Sequence, residues 1–107
     1  YGWSNSEENI DFYNSIGADK FKEYGDYVTA NNMKNNTQTR NIYSNMGVDG
    51  LNIIKSADKD KSGTLKKDDE LLPYLKSKGY TVDEVNAILP YLGWKEISEK
   101  QYNKIGK

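Results

Sequence analysis

The chain has 107 residues, enough for one small domain, and its 15 basic and 16 acidic residues leave a net charge of −1. Cysteine and histidine are both absent, which excludes disulfides, thiolate nucleophiles, Cys/His zinc sites and the commonest general base. No basic stripe indicates nucleic acid as a partner, and no apolar run approaches the roughly 18 residues that cross a bilayer. We therefore expect a protein that is not an enzyme, does not bind nucleic acid and has no membrane span.

Helical spacing predicts an all-α domain over residues 6–107, preceded by a linker end at residues 1–5. Apolar residues recur at this spacing in three segments of residues 6–46: Ile10, Tyr13 and Ile16, then Phe21, Tyr24 and Val28, then Ile42, Tyr43 and Met46. The Asn-rich residues 31–39 between the second and third segments predict a loop. Because the first residue is Tyr1 and not methionine, we expect a domain excised or processed from a larger protein.

The segment Asp58–Asp69 (DKDKSGTLKKDD) places oxygen donors at a spacing that suits a divalent cation. Counting Asp58 as position 1, carboxylates stand at positions 1, 3 and 12, which are Asp58, Asp60 and Asp69. The Ser62 hydroxyl is at position 5 and the Thr64 backbone carbonyl is at position 7. Gly63 at position 6 allows the sharp reversal, because glycine adopts a positive φ without a Cβ clash. These residues are the candidate metal ligands.

With its flanking helices, roughly residues 48–79, this loop resembles an EF-hand. The resemblance implies Ca²⁺ as the bound ion, with Mg²⁺ as a second possibility, and two helices joined by the loop. The competing interpretation is a solvated, lysine-rich turn in which Gly63 only supplies a bend. In the Asn-rich loop at residues 31–39 the asparagines do not fall at ligand spacing, so that segment is at best a degenerate hand.

Two departures from the EF-hand pattern predict weak binding. Asp69 stands where the family has glutamate, and its shorter side chain reaches the ion less readily with both oxygens. Glu70 compensates only if the register shifts by one residue. Four lysines within the loop also balance its four aspartates. We expect a dissociation constant on the order of 10⁻⁵ to 10⁻³ M, closer to extracellular modules than to cytosolic buffers.

The segments that follow the loop predict further helices. Pro73 either kinks the exiting helix or lies in its first turn. Thr81 with Glu84, and Ser98 with Gln101, are spaced as capping boxes that begin two more helices. Because EF-hands usually occur in pairs, residues 82–106 are predicted to be a degenerate second hand, so that residues 48–106 form an EF-hand-like pair. Ile97 is then expected to lie beside Leu65 in a short antiparallel bridge.

The pentad LLPYL at residues 71–75 recurs as ILPYL at residues 88–92. One interpretation is that two kinked helices pack their leucine and tyrosine faces together. The other is a hydrophobic surface that binds a protein partner, of the kind that EF-hand pairs expose. The pentads leave both interpretations open.

The leading functional hypothesis is a helical structural or protein-interaction module of a larger protein, in which Ca²⁺ stabilises the fold. One alternative is a dockerin-like receptor-binding module, since dockerin loops carry Asp at position 12, although the tandem second loop is missing here. Another is a non-catalytic domain of a secreted hydrolase or phage protein with a vestigial loop. Phe12–Ala30 loosely resembles helical segments of phage-encoded proteins of Gram-positive bacteria, and we expect an extracellular, cell-surface or virion location.

Overall fold

The computed structural model describes residues 3 and 6–105, which form seven α-helices and, within this part of the chain, no β-strand. The helices are α1 (Glu7–Ile16), α2 (Ala18–Ala30), α3 (Thr37–Met46), α4 (Val48–Ala57), α5 (Leu72–Ser77), α6 (Val82–Ile88) and α7 (Glu99–Asn103). A π-helical segment (Lys67–Leu71) continues into α5, and a 3₁₀ turn (Leu89–Leu92) follows α6. The predicted all-α class is confirmed. Among the described helices, none combines the length and apolar character needed to cross a bilayer.

Side-chain caps fix where several of these helices begin. The Thr81 hydroxyl accepts a hydrogen bond from the Glu84 N–H, and the Glu84 carboxylate accepts one from the Thr81 N–H. Ser98 and Gln101 form the same reciprocal pair at α7. These two predicted capping boxes are confirmed. Each box stabilises its helix start by pairing backbone donors that the first helical turn leaves free.

An aromatic cluster joins α1 and α2 to α3. Phe12 meets Tyr24 edge to face with ring centroids 4.7 Å apart, and Tyr24 meets Tyr43 in the same way at 5.2 Å. Trp3 packs on Phe21 and Tyr24 at 5.9 and 5.7 Å. Trp3 therefore docks on the domain, while the rest of the predicted linker end, residues 1, 2, 4 and 5, lies outside the described residues.

Helices α3 and α4 approach each other closely at Gly50. A Cβ at this buried position would lie 2.7 Å from Ile42 Cγ1, which is closer than real Cβ atoms approach their neighbours. The absence of a side chain at Gly50 lets the two helices pack backbone against side chain. Helix α4, held against α3 at this contact, ends at Ala57 and leads directly into Asp58.

The leucines of both repeated pentads lie in the core. Leu71, Leu72 and Leu75 of the first, and Leu89 and Leu92 of the second, are all less than a tenth exposed. Their burial disfavours a partner-binding surface formed by the leucines. The first pentad packs mainly against α4 and the second mainly against α3 and α6, so the leucines fill the shared core and the two pentads are not each other's main partners.

The last helix is held by a lysine on α5. The Lys76 ammonium donates hydrogen bonds to the backbone carbonyls of Tyr102, Asn103 and Ile105 at 3.0, 3.2 and 2.7 Å. A cation at the C-terminal end of a helix is favourable, because the unpaired carbonyls there carry partial negative charge. The helix that leaves the loop is thereby tied to the end of the chain.

Candidate metal centre

The loop between α4 and α5 brings three carboxylates together. One oxygen each from Asp58, Asp60 and Glu70 lies within 4.8 Å of the others. Asp58 follows directly after α4, whose buried face anchors it, and Glu70 lies in the π-helical segment that begins the exiting helix. These are the hard oxygen donors that Ca²⁺ and Mg²⁺ prefer, so the group has the right chemistry to hold such an ion.

Glu70 is the buried member of this group, with 4% of its surface exposed. Its Oε1 accepts a hydrogen bond from the Lys66 N–H at 2.8 Å, and its Oε2 accepts one from the Asp60 N–H at 3.4 Å. A buried carboxylate is costly unless its oxygens are paired. The two backbone donors hold Glu70 facing into the loop.

Asp69, predicted as the ligand at position 12, is exposed and does not belong to the group of three carboxylates. The cause is an extra residue in the exiting turn. The Leu71 N–H bonds to the carbonyl of Lys66, five residues earlier, at 2.9 Å, where an α-helix would use a residue four earlier. The register therefore shifts by one residue, and Glu70 takes the inward position expected for Asp69.

Pro73 explains why this wider turn forms here. Proline lacks an N–H and its ring crowds the carbonyl four residues earlier, which in this chain is that of Asp69. Pro73 lies in the first turn of α5, directly after the π-helical segment. Of the two predictions for the exiting helix, the one that places Pro73 in the first turn is confirmed.

The remaining predicted ligands lie beside Asp58 and Asp60. The Ser62 hydroxyl is 3.5 Å from Asp58 Oδ1 and donates to the Thr64 carbonyl at 2.9 Å. The Ser62 N–H donates to Asp60 Oδ1 at 3.1 Å, and the Gly63 N–H donates to Asp58 Oδ2 at 2.9 Å. Four of the five predicted residues, Asp58, Asp60, Ser62 and Thr64, are thus brought together, while Asp69 is not.

The crowding of negative charge affects the first aspartate most. Burial raises the pKa of Asp58, and the neighbouring carboxylates Asp60 and Glu70 raise it further, against the opposing hydrogen bond from Gly63. Hydrogen bonds from Ser62 hold the pKa of Asp60 well below its usual range. Mutual repulsion of this kind is relieved when a cation binds between the carboxylates.

The segment before and at the start of α3 holds the loop from the other side. The Gln38 side-chain amide accepts from the Leu65 N–H at 2.8 Å and donates to the Leu65 carbonyl at 3.0 Å. The Asn36 amide donates to the Gly63 carbonyl at 2.7 Å, and the methylenes of Lys34 cover the side of Gly63 where a Cβ would stand. The sequence does not predict this clamp. The loop predicted over residues 31–39 ends at Asn36, and Gln38 lies in the first turn of α3.

The predicted bridge between Leu65 and Ile97 is wrong. Gln38 takes both backbone groups of Leu65, and the Asn86 amide takes the N–H and carbonyl of Ile97 at 2.8 and 2.9 Å. In both places a side-chain amide replaces a neighbouring strand. Leu65 is nevertheless 2% exposed, so its side chain ties the loop to the core.

A cavity of about 320 Å³ adjoins the carboxylate group. Its lining includes Asp58 and Gly63 from the loop, together with Met33 and Lys34 from the preceding segment and Ile54 from α4. Asp58 therefore faces both the loop interior and this cavity.

Comparison of the chain with family models, with curated proteins and with solved structures found no match.

Proposed function

We propose that the protein is a calcium-binding helical module in which the ion braces the junction between α4 and α5. The observation that carries this proposal is the convergence of Asp58, Asp60 and buried Glu70 to within 4.8 Å of one another. Three carboxylates held this close repel each other, and a divalent cation between them replaces repulsion with attraction.

In this proposal Asp58 and Asp60 each contribute one carboxylate oxygen, and Glu70 replaces Asp69 as the acid from the exiting helix. The Ser62 hydroxyl and the Thr64 carbonyl, 2.9 Å apart, are neutral donors beside them. Calcium takes about six to eight oxygen ligands, and water completes the set on the exposed side. Mg²⁺ demands a stricter octahedron at shorter distances, so we propose Ca²⁺ as the preferred ion.

A structural role for the ion fits the distribution of buried surface. The leucines of both pentads are already in the core, so metal binding is not needed to hide or reveal them. The exiting helix is also tied through Lys76 to the C-terminal helix. An ion that fixes α5 at the loop therefore also helps to hold α7, to which α5 is tied.

Thermal unfolding in EDTA, Mg²⁺ and Ca²⁺ tests the proposal. A ligand present at 100 times its dissociation constant stabilises the folded state by about 2.7 kcal/mol, which raises Tm by roughly 10 to 20 °C for a domain of this size. For a dissociation constant on the order of 10⁻⁴ M, that ratio is reached at about 10 mM Ca²⁺, where we expect this shift and a smaller one with Mg²⁺.

Matched variants show whether the shift arises at this loop. Asp58→Asn should lose the stabilisation by Ca²⁺, whereas Asp11→Asn, an exposed acid on α1, should keep it. Equal melting temperatures in EDTA and Ca²⁺ for the unmodified protein would leave the loop without a metal-binding role.

A further inference from the structure

The ion pair between Lys66 and Asp60 suggests how the proposed metal site is regulated. The Lys66 ammonium lies 3.3 Å from Asp60 Oδ2. Among the residues that the structure describes, it is the one lysine of the four in residues 58–70 that lies within ion-pair distance of a carboxylate. The loop therefore supplies its own cation, the Lys66 ammonium, beside the three carboxylates.

Lys66 contacts the Asp60 oxygen that does not accept the backbone hydrogen bond from Ser62. Asp60 Oδ1 accepts a hydrogen bond from the Ser62 N–H, within the loop. The Lys66 ammonium lies against the other oxygen, Oδ2, at 3.3 Å. An ammonium and a divalent cation repel each other strongly at such short range, so both cannot occupy Oδ2 together.

Lys66 can leave this position without disturbing the rest of the site. Its backbone N–H is fixed to Glu70 Oε1 at 2.8 Å, so the main chain stays in place when the side chain moves. Its side chain is 59% exposed, and that of Asp60 is 47% exposed, so the ammonium can swing into water. Exposed ion pairs of this kind are weak because water and salt screen them, so the displacement is readily reversible.

We propose that Lys66 is an internal counter-cation, which occupies Asp60 Oδ2 in the metal-free protein and must be displaced for Ca²⁺ to bind. This inference rests on the proposed calcium site and adds its regulation. Lys66 reduces repulsion among the carboxylates when calcium is scarce and lowers the affinity for the ion. The loop is thereby set to respond to a higher calcium concentration than its oxygen donors alone would require.

Calcium titration calorimetry on the whole chain tests this with three variants. Lys66→Met removes the ammonium without adding an oxygen donor, and its dissociation constant for Ca²⁺ should fall about twofold to fivefold. Lys66→Arg keeps the charge and should stay close to the unmodified protein. Lys59→Met removes an equal charge from an exposed lysine that has no carboxylate within 4 Å among the described residues, and should change the constant by less than about twofold.

The outcomes separate the role of Lys66 from the existence of the site. Tighter binding by Lys66→Met alone, with the difference shrinking in 0.5 M KCl because salt screens exposed pairs, supports the proposal. Equal tightening by Lys66→Met and Lys59→Met would overturn it in favour of net loop charge. Unchanged affinity in Lys66→Met, while the unmodified protein binds Ca²⁺, would overturn it and leave the metal site standing. No binding heat in any form of the protein would overturn both.

Discussion

Because of the register shift at the exiting helix, separate substitutions of Glu70 and Asp69 give the clearest comparison. Glu70→Gln keeps the shape of a side chain that is 4% exposed but removes its charge. Asp69→Asn removes an equal charge from the exposed neighbour that the spacing alone predicts as the ligand. The two variants have the same net charge and differ by one position.

The expected effect of Glu70→Gln on calcium binding is large. A unit negative charge and a divalent cation about 2.4 Å apart attract each other by about 3.5 kcal/mol even at the dielectric constant of water. Losing that attraction weakens binding by about 300-fold, which moves a dissociation constant on the order of 10⁻⁴ M beyond detection. Asp69→Asn should weaken binding by less than about fivefold, because its charge is exposed and screened.

Calorimetry with Ca²⁺ measures both variants directly, and circular dichroism in EDTA checks that each retains its helices. The reverse order would refute the register shift and restore the twelve-residue loop. In that case Asp69→Asn would give no binding heat with Ca²⁺, and Glu70→Gln would bind Ca²⁺ about as tightly as the unmodified protein. Equal, small losses in both variants would indicate that neither carboxylate contacts the ion.

Three further predictions concern the support of the loop and the core. Gln38→Ala should lower the free energy of unfolding by about 1 to 3 kcal/mol in urea titrations, because both backbone groups of Leu65 lose their partner; an unchanged midpoint would contradict the clamp. Gly63→Ala should be destabilising by about 1 to 3 kcal/mol in thermal melts, since φ is +87° and the new Cβ would meet the methylenes of Lys34. Adding Lys34→Ala should recover part of that loss, and no recovery would mean that backbone strain alone is responsible. Burial raises the pKa of Tyr24 from 10.0 to about 12, so its contribution to stability is complete below pH 10 and is lost as the pH rises toward 12; Tyr24→Phe should flatten that alkaline decline, and an identical decline in both proteins would contradict it.

The sequence was a good guide wherever local chemistry decides the structure. The capping boxes at Thr81 and Ser98 follow from backbone groups that need partners within a few residues. The same holds for most of the candidate site. Asp58, Asp60, Ser62 and Thr64 meet because a tight loop that reverses at Gly63 leaves them little freedom.

The acid from the exiting helix could not be assigned from spacing alone. Which of the two adjacent acids, Asp69 or Glu70, faces the loop interior depends on whether the turn before Pro73 is α-helical or π-helical. The choice between these turns is set by a balance of energies that residue spacing does not reveal. The signal was present in Pro73, four residues after the end of the loop, whose ring disfavours an ordinary α-turn over the carbonyl of Asp69.

The partner of the loop was missed because it depends on long-range contacts. Gln38 and Leu65 are 27 residues apart, and nothing in their local sequence links them. The expectation that Ile97 would bridge Leu65 assumed pairing of backbone strands. In this fold side-chain amides take the place of strand backbone. The amide of Gln38 pairs with the backbone of Leu65, and the amide of Asn86 pairs with the backbone of Ile97.

A crystal structure of the protein grown in millimolar Ca²⁺ would show whether the three carboxylates hold an ion. We expect one ion about 2.3 to 2.6 Å from oxygens of Asp58, Asp60 and Glu70, with Asp69 turned to solvent and the Lys66 ammonium moved away from Asp60. Water alone between these carboxylates, with Lys66 still paired to Asp60 at saturating calcium, would contradict this expectation.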